Sequence, residues 1–193
     1  MPIPLPDRHE LRERRRAIAP AARMQAAEAV AERLLALADA PQAGYVAGYW
    51  AMDGELPLHV WQLGLPKALI YCLPVLDEAT QTLKFAPWRS GDGLVSNRFG
   101  IPEPDLDPAS LLDAGQMALI ALPLTGFDTR AHRLGMGGGW YDRTLAFRRQ
   151  SAAAPLMIGI GFDVQQVEAI EPHAWDVACD AIVTETRTIL RAA

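Results

Sequence analysis

Residues 117–124 read Met-Ala-Leu-Ile-Ala-Leu-Pro-Leu, an apolar run that carries no charge. A continuous apolar run of this length predicts a strand that is covered on both faces, as the strands of parallel sheets are. A loop is predicted over residues 125–138, and a helix over residues 139–149. This strand–loop–helix unit indicates an α/β fold.

The same alternation extends outward along the chain. Further strands are predicted at 45–50, 68–75, 82–88, 156–162 and 181–185, helices at 55–63 and 107–114, and a long loop at 90–108. Two helices come first: one is capped by Asp7 and runs to about Ile18, and the other opens at Pro20 and ends before Pro41. The second helix has one expected apolar stripe, formed by Met24, Ala27, Ala31, Leu34 and Ala38. The pattern predicts a three-layer α/β domain with a mostly parallel sheet and helices on both faces.

Length and composition fit one globular domain over residues 1–193. Half of the residues are hydrophobic and 21% are charged, which excludes a disordered or collagen-like chain. The formal net charge is −5, whereas proteins that bind duplex nucleic acid usually have a basic surface. Cys72 and Cys179 are predicted to be buried reduced thiols rather than a disulfide framework.

No export signal or membrane anchor is predicted. Residues 1–8 lack a charged segment followed by an apolar stretch. No apolar run approaches the roughly 18 residues that a membrane span needs. We therefore expect a cytoplasmic protein without a membrane partner, and nothing in the sequence demands more than a monomer.

The strongest local signal for function is a glycine cluster between the strand at 117–124 and the following helix. Its members are Gly135, Gly137, Gly138 and Gly139. Glycine allows close approach of backbone N–H groups and positive φ, and a helix N-terminus attracts anions. Three arginines lie nearby: Arg130, Arg133 and Arg143. We interpret the segment as an anion site, and the alternative is a flexible turn with solvated arginines.

The glycine cluster matches neither of the common nucleotide motifs. The pattern G-x-x-x-x-G-K-[ST] is absent, and G-x-G-x-x-G fails because Trp140 takes the place of its last glycine. Asp142 supplies a carboxylate that suits Mg²⁺ beside phosphates. Asp176 precedes the last core strand and is expected at the same end of the sheet, although an acid there can also be a structural cap.

Other charged residues have two interpretations. Arg8, Arg12 and Arg16 are spaced by four and form one helical stripe, which suits a polyphosphate or is simply a solvated face. Glu55 lies between a predicted strand and a predicted helix. It suits the amine or amide edge of a heterocycle, or it is a first-turn acid favoured by the helix dipole.

The remaining reactive and aromatic residues give weaker signals. The four histidines have no metal-ligand spacing with either cysteine, and no serine-nucleophile motif is present. The five tryptophans are expected mostly in the core. Trp88 and Trp140 flank glycine-rich segments, where they suit a pocket for a flat ring.

The segment from Leu122 to Asp142 resembles the hallmark of the 5-formyltetrahydrofolate cyclo-ligase family. That hallmark is an apolar strand ending in proline, followed by F-D-x-x-G-x-R-L-G-x-G-x-G-[YF]-Y-D. Ala131 stands where the family has a glycine. Other blocks follow in the family's order: Arg8–Arg12 resembles its opening K-x-x-x-R, and 97–104 its G-I-x-E-P loop. The resemblance covers nearly the whole chain.

The resemblance implies a role for each matching residue. ATP phosphates would be held by Arg8, Arg12, Arg133, Leu134, Gly135, Met136, Gly137, Gly138, Gly139, Trp140 and Tyr141. The folate site would be lined by Trp50, Glu55 and Trp140, with Glu55 on the pterin side. Mg²⁺ would be held by Asp142 and Asp176, and the catalytic pair would be Arg133 and Asp142. The implied fold is a single domain with a Rossmann-like core of the NagB/RpiA/CoA-transferase type.

The implied activity is the ATP- and Mg²⁺-dependent conversion of 5-formyltetrahydrofolate to 5,10-methenyltetrahydrofolate, ADP and phosphate. The partners would be ATP and a reduced folate, with or without a polyglutamate tail. Two alternatives stay open: a non-catalytic folate- or nucleotide-binding relative, and a nucleic-acid-binding protein that uses the arginines at 12–16. The second predicts a steep salt dependence of binding, and the acidic net charge argues against it.

Overall fold

A computed structural model describes residues 7–150 and 155–192. Its strands are β1 (Gly44–Ala47), β2 (Leu69–Asp77), β3 (Thr82–Pro87), β4 (Leu94–Ser96), β5 (Pro102–Pro104), β6 (Met117–Pro123), β7 (Gly126–Phe127), β8 (Arg133–Leu134), β9 (Leu156–Ile160), β10 (Ala181–Val183) and β11 (Thr188–Leu190). Its helices are α1 (Arg8–Arg16), α2 (Pro20–Leu35), α3 (His59–Gly64) and α4 (Trp140–Thr144). Short 3₁₀ turns lie at Pro108–Ser110, Ala114–Gln116, Ala146–Arg149 and Asp163–Gln165.

The central sheet is mostly parallel, as predicted. Within residues 7–150 and 155–192 it has seven strands, in the order β11-β10-β9-β6-β1-β2-β3. The five inner strands run parallel to one another, and antiparallel strands β3 and β11 close the two edges. β11 was not predicted, because it has three residues and only Ile189 is partly buried.

Strand β6 is covered on both faces, which confirms the interpretation of residues 117–124. Leu119 and Ala121 pack on one face, with α2. Ile120 and Leu122 pack on the opposite face, beneath the loop that follows β6. The carboxyl end of β6 therefore delivers the glycine-rich segment to the edge of the sheet where ligands bind in such folds.

Helix α2 buries three of the five residues of the predicted stripe, namely Ala27, Ala31 and Leu34. Its buried residues are Ala26, Ala27, Val30, Ala31 and Leu34. Met24 is exposed, and Ala38 lies beyond the end of the helix at Leu35. The prediction of these two residues was wrong because alanines occur on every side of this helix, so the pattern did not single out one face.

Three predicted segments are organised differently. The helix expected at 55–63 begins only at His59, because a turn with positive φ at Asp53 and Gly54 comes first. The loop expected at 90–108 contains the antiparallel hairpin β4–β5, and only 3₁₀ turns form where a helix was expected at 107–114. The helix expected at 139–149 divides into α4 and a 3₁₀ turn.

Two other expectations concern the cysteines and the membrane. Cys72 and Cys179 are free and buried, as predicted. None of the helices within residues 7–150 and 155–192 combines the length and apolar character that a membrane span requires.

Candidate active site

The loop after β6 is built around the carboxylate of Asp128. This side chain is buried and accepts hydrogen bonds from the backbone N–H groups of Arg130 at 2.9 Å, His132 at 3.0 Å and Ile170 at 3.0 Å. Ala131 within this turn has φ of +63°, a left-handed conformation that glycine adopts most readily. The turn therefore explains why a glycine suits this position in the related motif.

The glycine cluster forms a tight backbone loop ahead of α4. Gly137 and Gly139 have φ of +95° and +66°, and a side chain at either position would be strained. The carbonyl of Gly135 accepts a 3.0 Å hydrogen bond from Nε of Arg8. The structure thus brings Arg8 of α1 to the glycine-rich loop, from a position 127 residues earlier.

Arg133 and Asp142 form an ion pair at this loop. Oδ1 of Asp142 also accepts the backbone N–H of Val177 at 3.2 Å, and Nε of Arg133 donates to the carbonyl of Val177 at 3.3 Å. Asp176 directly precedes Val177 in the chain, so the two predicted metal ligands lie in neighbouring segments. Asp176 also accepts the backbone N–H of His173 at 2.8 Å, which is the structural role that the sequence left open.

Three arginines of α1 converge on one carboxylate. Asp53 binds Arg12 at 2.6 Å, Arg15 at 2.9 Å, and Arg16. Arg15 is fully buried, and its Nη1 donates to the carbonyl of Leu124 at the end of β6. The three arginines of the predicted stripe therefore contact two different places: Arg8 contacts the glycine-rich loop, whereas Arg12 and the exposed Arg16 bind Asp53.

Arg15 was missed by sequence reasoning. It lies four residues after Leu11, and both side chains are 0% exposed on the buried side of α1. Leu11 packs with Val167 and Ile170. The available signal was this i, i+4 pairing of an arginine with a leucine, which places the arginine on the inward face.

Glu55 is an interior carboxylate. Its side chain is 10% exposed, Oε2 accepts the backbone N–H of Met52 at 3.0 Å, and Oε1 lies 3.6 Å from Nη2 of Arg15. The alternative that Glu55 is a first-turn acid was wrong, because α3 begins at His59. Burial raises the pKa of Glu55. Burial, and to a lesser extent the charge of Glu55, raise the pKa of Tyr141 in the glycine-rich loop.

The tryptophans near the site form two separate edge-to-face pairs. The rings of Trp50 and Trp88 lie 5.7 Å apart at 81°. Trp140 instead meets Phe99 of the β4–β5 turn, at 6.3 Å and 80°. Nε1 of Trp88 is buried and has no hydrogen-bond partner among the residues that the structure describes. Trp175 is 62% exposed and is not a core residue.

The ion pairs of Asp53 with the arginines of α1 predict that part of the protein's stability is lost in acid. Burial alone would raise the pKa of Asp53, but hydrogen bonds from Arg12, Arg16 and Arg15 outweigh it and lower the pKa from 3.8 to about 2. A depressed folded-state pKa stabilises the fold above the unfolded pKa, and this stability is lost as the pH falls from about 4 to about 2. We expect Asp53→Asn to be less stable than the parent at pH 6, with a gap that narrows toward pH 2.

Denaturant unfolding of both proteins between pH 2 and pH 6 measures this gap. Asp39→Asn, which alters an exposed acid elsewhere, is the matched control and should follow the parent at every pH. A gap for Asp53→Asn that is the same at pH 2 and pH 6 would contradict the prediction.

Comparisons with known proteins agree on one family. The model of the 5-formyltetrahydrofolate cyclo-ligase family matches residues 6–185. The 5-formyltetrahydrofolate cyclo-ligase of Escherichia coli strain K12 is 34% identical over 92% of this chain and 97% of that protein. The Haemophilus influenzae protein of the same name is 34% identical over 88% and 91%. The NMR structure of Aquifex aeolicus 5,10-methenyltetrahydrofolate synthetase is similar with a TM-score of 0.79 and 27% identity, over 95% of this chain and 90% of that one.

Proposed function

The chain belongs to the 5-formyltetrahydrofolate cyclo-ligase family, and we infer from this that it converts 5-formyltetrahydrofolate and ATP to 5,10-methenyltetrahydrofolate, ADP and phosphate. One observation supports this inference above the others. Arg133 and Asp142 form an ion pair at the glycine-rich loop after β6, and Arg8 donates a hydrogen bond to the carbonyl of Gly135 in that loop. Cationic, carboxylate and backbone groups thus meet at one site.

ATP phosphates would be held by the loop from 133 to 141 together with Arg8 and Arg12. The left-handed glycines leave backbone N–H groups open to an anion, and Arg8 already lies against this loop. Arg12 is 32% exposed, and only its Nε is hydrogen-bonded within the described ranges. Its terminal nitrogens therefore suit a bidentate contact with phosphate oxygens.

The two carboxylates near Val177 fit Mg²⁺ bound together with a nucleotide. Within residues 7–150 and 155–192, Asp142 and Asp176 each use one carboxylate oxygen for hydrogen bonds and leave the other without a partner. No cluster of three metal-binding side chains occurs in those ranges. Mg²⁺ is usually held by one or two carboxylates, substrate phosphates and water rather than by a protein cage. When bound, it would neutralise phosphate charge.

The folate would enter beside Glu55, Trp50 and Trp140. A buried carboxylate is a hydrogen-bond acceptor for the amine and amide N–H groups on the edge of a pterin ring. The aromatic rings of Trp50 and Trp140 supply flat apolar surfaces for the remainder of the molecule. Contacts with Met52 and Arg15 hold the Glu55 side chain in place, so it is already oriented before the folate binds.

Phosphoryl transfer would activate the formyl group. The formyl oxygen attacks the γ-phosphorus of ATP, the bond to the bridging oxygen breaks, and ADP leaves. Nitrogen-10 then attacks the formyl carbon and loses its proton, and phosphate departs with the formyl oxygen. The protein aligns the two substrates, and Arg133 offsets the charge on the transferring group. No side-chain nucleophile is needed.

Asp142→Asn is expected to weaken the Mg²⁺ dependence of the reaction. The amide removes one negative charge from the proposed metal site. The Mg²⁺ concentration that gives the half-maximal rate should therefore rise about tenfold or more. A Mg²⁺ titration at saturating ATP and folate measures this. Asp92→Asn, in an exposed turn, is the control, and an unchanged titration for Asp142→Asn would remove Asp142 from the metal site.

The decisive experiment mixes the purified protein with 5-formyltetrahydrofolate, Mg²⁺ and ATP and follows the near-ultraviolet absorbance of the methenyl product. We expect the band to grow only when ATP is present. Binding of both substrates without any band would instead support a non-catalytic relative of the family.

A further inference from the structure

The turn of the β4–β5 hairpin lies against Trp140 at the edge of the site. Besides the ring contact between Phe99 and Trp140, Cζ of Arg98 lies 4.7 Å from the ring centre of Phe99 and 5.6 Å from that of Trp140. The turn is fixed, because Oδ1 of Asn97 accepts the backbone N–H groups of Phe99 at 2.8 Å and Ile101 at 3.1 Å. Arg98 is therefore presented by an ordered turn.

A second arginine stands over the same indole. Cζ of Arg143 lies 5.3 Å from the ring centre of Trp140, and its Nε donates to the carbonyl of Gln81 at 2.7 Å. The distances from the ring centre of Trp140 to Cζ of Arg98 and to Cζ of Arg143 are both within the range of cation–π attraction. Trp140 thus carries two guanidinium groups in a chain whose net charge is −5.

These two cations are little neutralised by the protein. Nε of Arg98 lies 3.4 Å from Glu78, and both side chains are more than half exposed, so this ion pair is weak. Arg143 has no carboxylate within ion-pair distance among the residues that the structure describes. Two arginine forks held beside an aromatic surface are suited to a ligand that carries carboxylates next to a flat ring.

We propose that Arg98 and Arg143, with Phe99 and Trp140, bind the aminobenzoyl-glutamate end of the folate. This inference rests on the proposed function. Glu55 lies 3.6 Å from Arg15, which donates to the carbonyl of Leu124 at the end of β6, and the next residue, Thr125, donates to Sδ of Met136 in the glycine-rich loop at 3.5 Å. A pterin at Glu55 therefore leaves its tail to run outward past this loop and Trp140. The aminobenzoyl ring packs against the surface that Phe99 and Trp140 form together, and the glutamate carboxylates bind the two arginines.

The test compares two substrates: 5-formyltetrahydrofolate and its counterpart without the glutamate, 5-formyltetrahydropteroate. Arg98→Gln and Arg143→Gln are each expected to raise KM for the glutamate-bearing substrate about three- to tenfold, and to raise it more than they lower kcat. KM for the shortened substrate and KM for ATP should stay within about twofold of the parent. If the shortened substrate is not turned over, its inhibition constant replaces KM.

Arg89→Gln is the matched control, because Arg89 is an exposed arginine on the segment that leads to the same hairpin. It should leave all constants unchanged. The proposal is overturned if either variant changes KM equally for both folates, or raises KM for ATP instead, which would assign that arginine to phosphate. A parent protein that does not convert 5-formyltetrahydrofolate at all would overturn the proposed function itself, which is a separate result.

Discussion

Arg133→Ala is expected to lower kcat/KM by about a hundredfold or more. The guanidinium of Arg133 binds Asp142 and the carbonyl of Val177, and the side chain is only 6% exposed. A charge-assisted hydrogen bond is worth ~1.5–3 kcal/mol, so each bond lost to a phosphate costs roughly ten- to a hundredfold. The alanine also leaves Asp142 without its cationic partner, which adds repulsion toward ATP.

Steady-state kinetics with ATP varied at saturating folate measures this effect. Arg133→Lys keeps the positive charge but lacks the planar guanidinium group, so it should recover part of the lost kcat/KM. Arg33→Ala is the control, because Arg33 also donates to the carbonyl of a distant segment, that of Thr186, but lies on α2 and is not part of the proposed site. Wild-type kinetics for Arg133→Ala would remove Arg133 from the reaction.

Arg15→Met is expected to lower the free energy of unfolding by about 3–5 kcal/mol. Arg15 is fully buried and binds Asp53 and the carbonyl of Leu124, with Glu55 at 3.6 Å. Asp53 keeps Arg12 and Arg16, but the buried carboxylate of Glu55 loses its cationic partner, which is far costlier than losing an exposed pair. Methionine keeps much of the volume, so the effect reports the polar contacts rather than a cavity.

Denaturant unfolding and a thermal scan measure this loss, which corresponds to a Tm lower by roughly 10 °C. Arg14→Met is the matched control one residue away. Arg14 makes an exposed i, i+4 pair with Glu10, and such pairs contribute under about 0.5 kcal/mol. A loss below about 1 kcal/mol for Arg15→Met would show that Arg15 does not hold the turn at Asp53.

The parallel core was predictable because its strands are continuous apolar runs. Residues 117–124 and 156–162 have no alternation, and only a sheet covered on both faces accommodates such runs. The hairpin β4–β5 was not predictable in the same way. Its two strands have three residues each, and β5 contains two prolines. Glu103 of β5 accepts hydrogen bonds from Asn97 and from Leu76, and the second of these joins the hairpin to β2.

The candidate site was predictable where one local motif carries it. Arg133, Asp142 and the glycines between them are close in sequence, and the structure brings Arg8 and Glu55 toward them. Asp53 gave no local signal, because an aspartate before a glycine looks like an ordinary turn residue. Its importance comes from three arginines of α1 that reach it from 37 to 41 residues away.

The contacts of α1 also set the order in which the protein is completed during synthesis. Arg15 binds a carbonyl 109 residues later, and Leu11 packs against Val167 and Ile170. At about 5–20 residues per second, the ribosome needs roughly 5 to 20 s to make the first of these partners. The first helix to be translated can therefore bind Asp53 early but completes its docking late, and the proposed nucleotide site is incomplete until the segment around residue 177 has emerged.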